Sequence, residues 1–306
     1  MVIHFTLVYE NVLELVGNTP IVRLKQNPNV LLKLEKFNPG ASVKDRPALE
    51  MVCEAEQRGI LKKGGKIVES SSGNLAVSLA LVSVVKGYKF IAVVDSNISP
   101  NKLTRLRAYG ANVKMVTGGN VNELKRKRRE LTAAIAKNEN AICLDQYNNP
   151  ANPQAHTVTA REILTQVPNV DIVVTAVSTG GQFTGIARAL LALKPSVKMA
   201  AVEPNGSVIF GGKGKPYFSD GSGLDYVGRN FEANLSQWKL KVGDAAAFKT
   251  AKLLAKTEGI LIGSSSGRVV YAGLKLQKKY GGLVVCVCPD GGEDYPILFN
   301  ETVGIK

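Results

Sequence analysis

The 306 residues are 45% hydrophobic and 21% charged, a balance that suits a globular chain of one large or two moderate domains with a substantial buried core. The net charge is +14, but apart from KRKRR at 125–129 the basic residues are dispersed, and no aromatic-interleaved basic strand accompanies them. Nucleic acid is therefore not the expected partner; a positive field for small anions is.

The N-terminal MVIHFTLVYEN lacks a basic segment ahead of an apolar core, and no apolar run is long enough to span a bilayer. A cytoplasmic protein with no membrane partner is expected. From there, apolar β-rich runs alternate with helix-period segments. The predicted strands are VLLKLE (30–35), GKIVES (65–70), KFIAVVD (89–95), NVKMV (112–116), AICLD (141–145), DIVVTAVS (171–178), VKMAAVEP (197–204), GILIGS (259–264) and LVVCVCP (283–289). Helices are predicted at PALEMVCEAEQRGI, NLAVSLALVSVVKG, SPNKLTRLRAYG, VNELKRKRRELTAAIAK and TGIARALLALKP, with KRKRR on a solvated helix face. Near-continuous Val/Ile/Leu strands between helices imply parallel sheet covered on both faces, an α/β, doubly wound class. YNNPANPQ (147–154) is the expected crossing between two lobes.

Cysteines and histidines add little chemistry. Cys53, Cys143, Cys286 and Cys288 show no C-x-x-C spacing and read as buried small hydrophobes, Cys286 and Cys288 on one strand face. With only His4 and His156, a His-based zinc site or a Ser-His-Asp triad has almost no material, and no metal is expected; His156 reads as structural.

Three loops share a design. ESSSGNLAV (69–77), VSTGGQFTG (177–185) and IGSSSGRVV (262–270) each follow an expected strand and open an expected helix, offering free backbone N–H groups, hydroxyls and the positive end of a helix dipole. Ser and Thr also serve simply as N-caps, but three such loops in one chain point to a small polyanionic ligand. None has Walker or dinucleotide glycine spacing. In NPGASVKDRPA (38–48), Lys44 stands just after the turn residues Pro39 and Gly40, at a helix entrance. A lysine so placed, with anion loops, meets the needs of pyridoxal phosphate: an imine partner, a phosphate cradle and a grip on an amino-acid carboxylate.

Over nearly its whole length the chain resembles the cysteine synthase family of fold type II pyridoxal-phosphate enzymes. The resemblance rests on VGNTPIVRL (16–24), LEKFNPGASVKDRPA (34–48), SSGN (71–74), QYNNPANP (146–153), STGGQFTG (178–185), AVEP (201–204), GSSSG (263–267) and CPDGGEDY (288–295), in that order. It implies two doubly wound parallel-sheet lobes like those of the tryptophan synthase β-subunit: a smaller mobile lobe, 45–145, with the substrate carboxylate loop, and a larger lobe, 1–44 with 146–306, binding the cofactor phosphate. It implies that Lys44 carries the cofactor and later moves protons, and that Asn74 bonds its 3′-oxygen. Ser71, Ser72, Gly73 and Asn74 with Gln146 would hold the substrate carboxylate. Ser178, Thr179, Gly180, Gly181 and Gln182 would cradle the phosphate. Ser265 would face the pyridine nitrogen without keeping it protonated. A homodimer acting on amino-acid substrates by β-elimination to an aminoacrylate, then nucleophile addition, is the implied activity.

The chain departs from the common pattern at Leu75, where the family has threonine, at VDSNISPNKL (94–103), at Ser178 and at EPNGSVIFGG (203–212). These departures resemble a siderophore-pathway subgroup, N-(2-amino-2-carboxyethyl)-L-glutamate synthase, which joins O-phospho-L-serine to L-glutamate on the way to 2,3-diaminopropionate. On that reading Leu75 removes a hydroxyl beside the carboxylate loop and re-aims the nucleophile's path; alternatively Leu75 merely repacks a helix start. The alternative activity is an ordinary cysteine synthase using sulfide on O-acetyl- or O-phosphoserine. A cystathionine synthase is less expected, because the 306 residues show no haem or regulatory segment, and a catalytically silent binding protein is disfavoured by Lys44, Asn74 and Ser265.

Overall fold

A computed structural model describes residues 8–218, 221–295 and 299. In chain order the strands are β1 (Ile21–Arg23), β2 (Val30–Leu34), β3 (Lys66–Ser70), β4 (Lys89–Asp95), β5 (Asn112–Val116), β6 (Ile142–Cys143), β7 (Ile172–Ala176), β8 (Lys198–Pro204), β9 (Trp238–Val242) and β10 (Val284–Cys288). The helices are α1 (Asp45–Gln57), α2 (Asn74–Lys86), α3 (Pro100–Ala108), α4 (Val121–Asn138), α5 (Ala151–Gln154), α6 (His156–Gln166), α7 (Gly181–Leu193), α8 (Asp244–Glu258) and α9 (Ser264–Tyr280). Among the described residues no helix is long and apolar enough to cross a membrane.

Two sheets form the molecule. The larger has the order β1-β2-β10-β7-β8-β9, the smaller β5-β4-β3-β6. All neighbours are parallel except β1 with β2. Strands β2, β7 and β10 are buried at every position, as helices on both faces require. Because successive side chains alternate, Val174, Ala200 and Cys286 pack under α8 and α9, whereas Val173, Ala201 and Val285 pack under α6 and α7. In the small sheet Ile67, Ala92 and Val94 face α1, α2 and α3, and Val68, Ile91 and Val93 face α4. The chain passes between the sheets after β6, through YNNPANPQ, and α5 within that run packs against α1 and α7. Leu13, ahead of β1, packs into the small-sheet core.

Several expectations need correction. GILIGS is not a strand: Gly259 caps α8 in the left-handed region, Ile260 N–H bonds back to Leu254 O, and Ile262 fills the core within a connector between α8 and α9. The third anion loop therefore follows a helix rather than a strand. Strand β9 went unread because WKLKV is an edge strand whose exposure alternates, unlike the continuous apolar runs. Cys286 and Cys288 share one buried face, but Cys143 is exposed and Cys53 half-buried. The basic run does form helix α4, opened by an Asn120–Glu123 capping box, yet not all of it is solvated. Arg126 pairs with Glu130 on the surface, whereas Arg128 turns inward.

Candidate active site

Lys44 is the residue immediately before α1. Its setting follows from the turn ahead of it. Ala41 N–H bonds Asn38 O at 2.8 Å, and Gly40 N–H donates to the Asp45 carboxylate, so a side chain at position 40 would collide with that carboxylate. Asp45 also accepts from Ser78 Oγ on α2, and Val43 N–H bonds Pro289 O at 2.7 Å beyond β10. Burial raises the Asp45 carboxyl to about 6 against these bonds. Arg46 then bonds Glu35 and Glu162 in a buried network with Lys33. With its neighbours so anchored, Lys44 lines a cavity between the sheets. Desolvation lowers its ammonium to about 8, partly opposed by the Asp290 charge.

The same cavity is lined by Asn74, Ser178, Thr179, Gly180 and Gln182. Gly180 precedes α7 with φ +90°, and a Cβ there would stand 2.5 Å from Phe231 N, so only glycine fits. Thr179 Oγ1 accepts from Asn152 Nδ2 at 3.2 Å, and a side chain on Gly181 would collide with the Asn152 amide. The Asn152 amide also donates to Gln146 O at 2.7 Å, joining Gln146 to this loop. Ser265, in the first turn of α9, has a buried Oγ with no partner among the described residues; Gly221, on the cavity wall, is placed so that a Cβ would lie 3.3 Å from it.

Ser71, Ser72 and Gly73 lead directly into Asn74, the first residue of α2. Ser71 Oγ accepts from Gly73 N–H at 3.3 Å. Ser72 Oγ accepts from both Asp95 N–H and Arg128 Nη1, each at 2.9 Å, which leaves its own proton to donate. Leu75, next to Asn74 in the first turn of α2, has its side chain buried in the small-sheet core. His156 is buried beside Thr159 and outside the cavity lining; burial and the Arg46 and Lys44 charges hold its imidazole well below the usual range. A larger concavity, lined by Lys66, Tyr88 and Glu139 among others, lies at the amino ends of β3 and β4, remote from all these residues.

A family model described as pyridoxal-phosphate dependent enzyme matches residues 12–290. The chain belongs to that family. A candidate cysteine synthase of Sinorhizobium fredii is 40% identical over 96% of this chain and 92% of its own. The cysteine synthase of Staphylococcus aureus is 35% identical over 94% and 95%. The crystal structure of O-ureido-L-serine synthase superposes with a TM-score of 0.92 at 32% identity, over 98% of both chains. The protein is thus a cysteine synthase-like, pyridoxal-phosphate-dependent β-replacement enzyme with two parallel-sheet lobes.

The residues present fit that cofactor. Gln182 Nε2 is a buried donor with no partner among the described residues, beside the free N–H groups that begin α7, and such a donor set suits a phosphate. The unpartnered Ser265 Oγ suits a ring nitrogen, and an amine depressed toward neutrality suits attachment at Lys44. When bound, the cofactor supplies an electron sink for the substrate's α-carbon.

Three residues of this neighbourhood were not singled out from the sequence. Arg128 reaches the carboxylate loop from α4, hidden in a run of like charges. Glu69, a lone acid in the apolar strand β3, is buried and accepts from Asp145 N–H at 3.1 Å; desolvation raises it to about 8. Asp290 lies within CPDGGEDY (288–295), where the sequence alone gives it no role. A buried acid inside or just after an apolar strand was the available signal for the last two.

Proposed function

We propose that the enzyme performs β-replacement on O-phospho-L-serine with the amino group of L-glutamate, giving N-(2-amino-2-carboxyethyl)-L-glutamate. The observation that carries this reading is Arg128: its guanidinium is hydrogen-bonded to Ser72 and ion-paired at 3.1 Å with Asp95, at the start of the unusual VDSNISP segment. That segment therefore fixes an ion-paired guanidinium beside the candidate carboxylate loop, where its N–H donors and not an unpaired charge would meet substrate. A guanidinium there suits substrates with extra negative charge, such as a phosphorylated serine and a dicarboxylic amino acid, better than sulfide. The net charge of +14 favours the same anions at encounter.

In this reading Lys44 holds the cofactor and moves the α-proton. The 71–74 loop and Gln146 bind the substrate carboxylate, the 178–182 loop holds the cofactor phosphate, and Ser265 meets the ring nitrogen. The protein works in the cytoplasm as a homodimer. Relatives named for cysteine and for O-ureido-L-serine share this scaffold, which supports a fold that accommodates different nucleophiles. The second reading, a cysteine synthase, is favoured by the names of the curated relatives. Initial rates with O-phosphoserine and O-acetylserine, each with glutamate or sulfide, separate the two. The proposal requires the O-phosphoserine and glutamate pair to be fastest.

A further inference from the structure

Asp290 follows β10 and is buried, 4% exposed. Oδ2 accepts from Asn74 Nδ2 at 2.8 Å and from the Tyr295 hydroxyl, while Oδ1 has no partner among the described residues. The backbone around it is fixed from two sides. Its carbonyl accepts from Gly263 N–H at 3.3 Å and Ser266 Oγ at 3.2 Å at the start of α9, and it pairs with Ser42 in an antiparallel bridge two residues before Lys44. The backbone that carries the carboxyl is therefore tied to the segments that carry both Lys44 and Ser265.

Burial raises the Asp290 carboxyl, opposed by the Tyr295 and Asn74 hydrogen bonds and the Lys102 charge; in its ionised form it only accepts hydrogen bonds, which matches the Asn74 nitrogen facing it at 2.8 Å. The charged form of Asp290 thus fixes the orientation of the amide. One Asn74 N–H is committed to Asp290, and the other is held at a fixed angle in the cavity that Asn74, Lys44 and Asp290 line together. The contact also crosses between the sheets, since Asn74 opens α2 on the small one and Asp290 follows β10 of the large one. Helix α3 grips the same segment, with Asn101 Nδ2 donating to Glu293 O at 3.3 Å and the Lys102 ammonium 4.8 Å from the centre of the Tyr295 ring.

We propose that Asp290 is a positioning residue that orients Asn74 toward the bound cofactor, so that the segment 290–295 couples the seating of the small lobe to the cofactor's electronic environment. This goes beyond the choice of substrates and holds whichever nucleophile the enzyme accepts.

The test compares Asp290→Ala, Asp290→Asn, Asn74→Ala and the double variant Asn74→Ala/Asp290→Ala, each loaded with pyridoxal phosphate. The readouts are the position of the cofactor's visible absorption band and its rate of release to a scavenging apoenzyme. Asp290→Ala should move the band in the same direction as Asn74→Ala and speed release on the order of tenfold to a hundredfold, the scale of one lost buried polar contact. The double variant should go no further than Asn74→Ala alone, because Asp290 acts through Asn74. Asp290→Asn keeps an acceptor oxygen and should stay closest to the parent. A parental spectrum and release rate in Asp290→Ala, or additive effects in the double variant, would overturn the proposal. If Asp290→Ala does not fold, Asp290→Leu, which keeps bulk but offers no acceptor, poses the same additivity test with and without Asn74→Ala.

Discussion

Arg128 Nη1 donates to Ser72 Oγ at 2.9 Å, tying the middle of α4 to the loop that leads into Asn74. The same hydroxyl takes the Asp95 N–H, so a basic helix, the VDSNISP segment and the candidate carboxylate loop meet on one oxygen. Replacing Arg128 by Ala should raise KM for O-phosphoserine by roughly tenfold to a hundredfold, the scale of a lost charged hydrogen bond. Arg128→Lys should restore little, because a point charge cannot hold Ser72 and Asp95 together. Steady-state kinetics on the three proteins check this, and an unchanged KM in Arg128→Ala would remove the cation from the account.

Lys44 should be the most reactive lysine of the cofactor-free protein near neutral pH. Burial lowers its ammonium from the ordinary 10.5 to about 8, so the nucleophilic free amine gains population as pH rises through about 8, well before exposed lysines lose their protons. Pulsed acylation at a series of pH values, followed by peptide mapping, should show the Lys44 adduct rising with a midpoint near 8. Borohydride reduction of the loaded enzyme should label the same residue, and Lys44→Ala should lose about 10²–10⁴-fold in turnover through the missing proton transfer alone. Labelling of a different lysine would refute the assignment.

The Arg46–Glu162 pair should govern acid stability. Burial alone would raise the Glu162 carboxyl, but the Arg46 and Lys33 bonds outweigh it and hold the group at about 2, below the ordinary 4.5. A depressed carboxylate contributes stability that is full above 4.5 and is lost as pH falls through about 2. Glu162→Gln should therefore cost about 3–5 kcal/mol at neutral pH, as expected when one partner of a buried pair is removed, and the difference from the parent should shrink between pH 4.5 and 2. Denaturant melts across that range measure it.

Much of this was legible in the sequence because parallel strands buried on both faces read as unbroken apolar runs, and β7, β8 and β10 are such runs. The two loops at 71–74 and 178–182 were legible because small residues after a strand and before a helix have few other uses. What failed did so for definable reasons. GILIG is as apolar as a strand but only joins two packed helices, and apolar runs alone do not separate those cases. Leu75 drew notice as a missing hydroxyl, although helix geometry turns it into the core. Arg128 and Asp290 act through contacts to Ser72 and Asn74 that lie 56 and 216 residues away along the chain, separations that no local pattern records.

The lobes should close on substrate. The 71–74 loop opens a helix of the small sheet and the 178–182 loop one of the large sheet, so a substrate gripped by one while joined to a cofactor held by the other draws them together and excludes water. Solution scattering should show a smaller radius of gyration when the loaded enzyme is saturated with O-phosphoserine. An unchanged radius would rule closure out.

The identity of the reaction is decided by giving the loaded enzyme O-phosphoserine with glutamate and sulfide together at matched concentrations and weighing the products by mass spectrometry. N-(2-amino-2-carboxyethyl)-L-glutamate should predominate; cysteine as the product, with no glutamate adduct, would contradict the proposed reaction and make the protein an ordinary cysteine synthase.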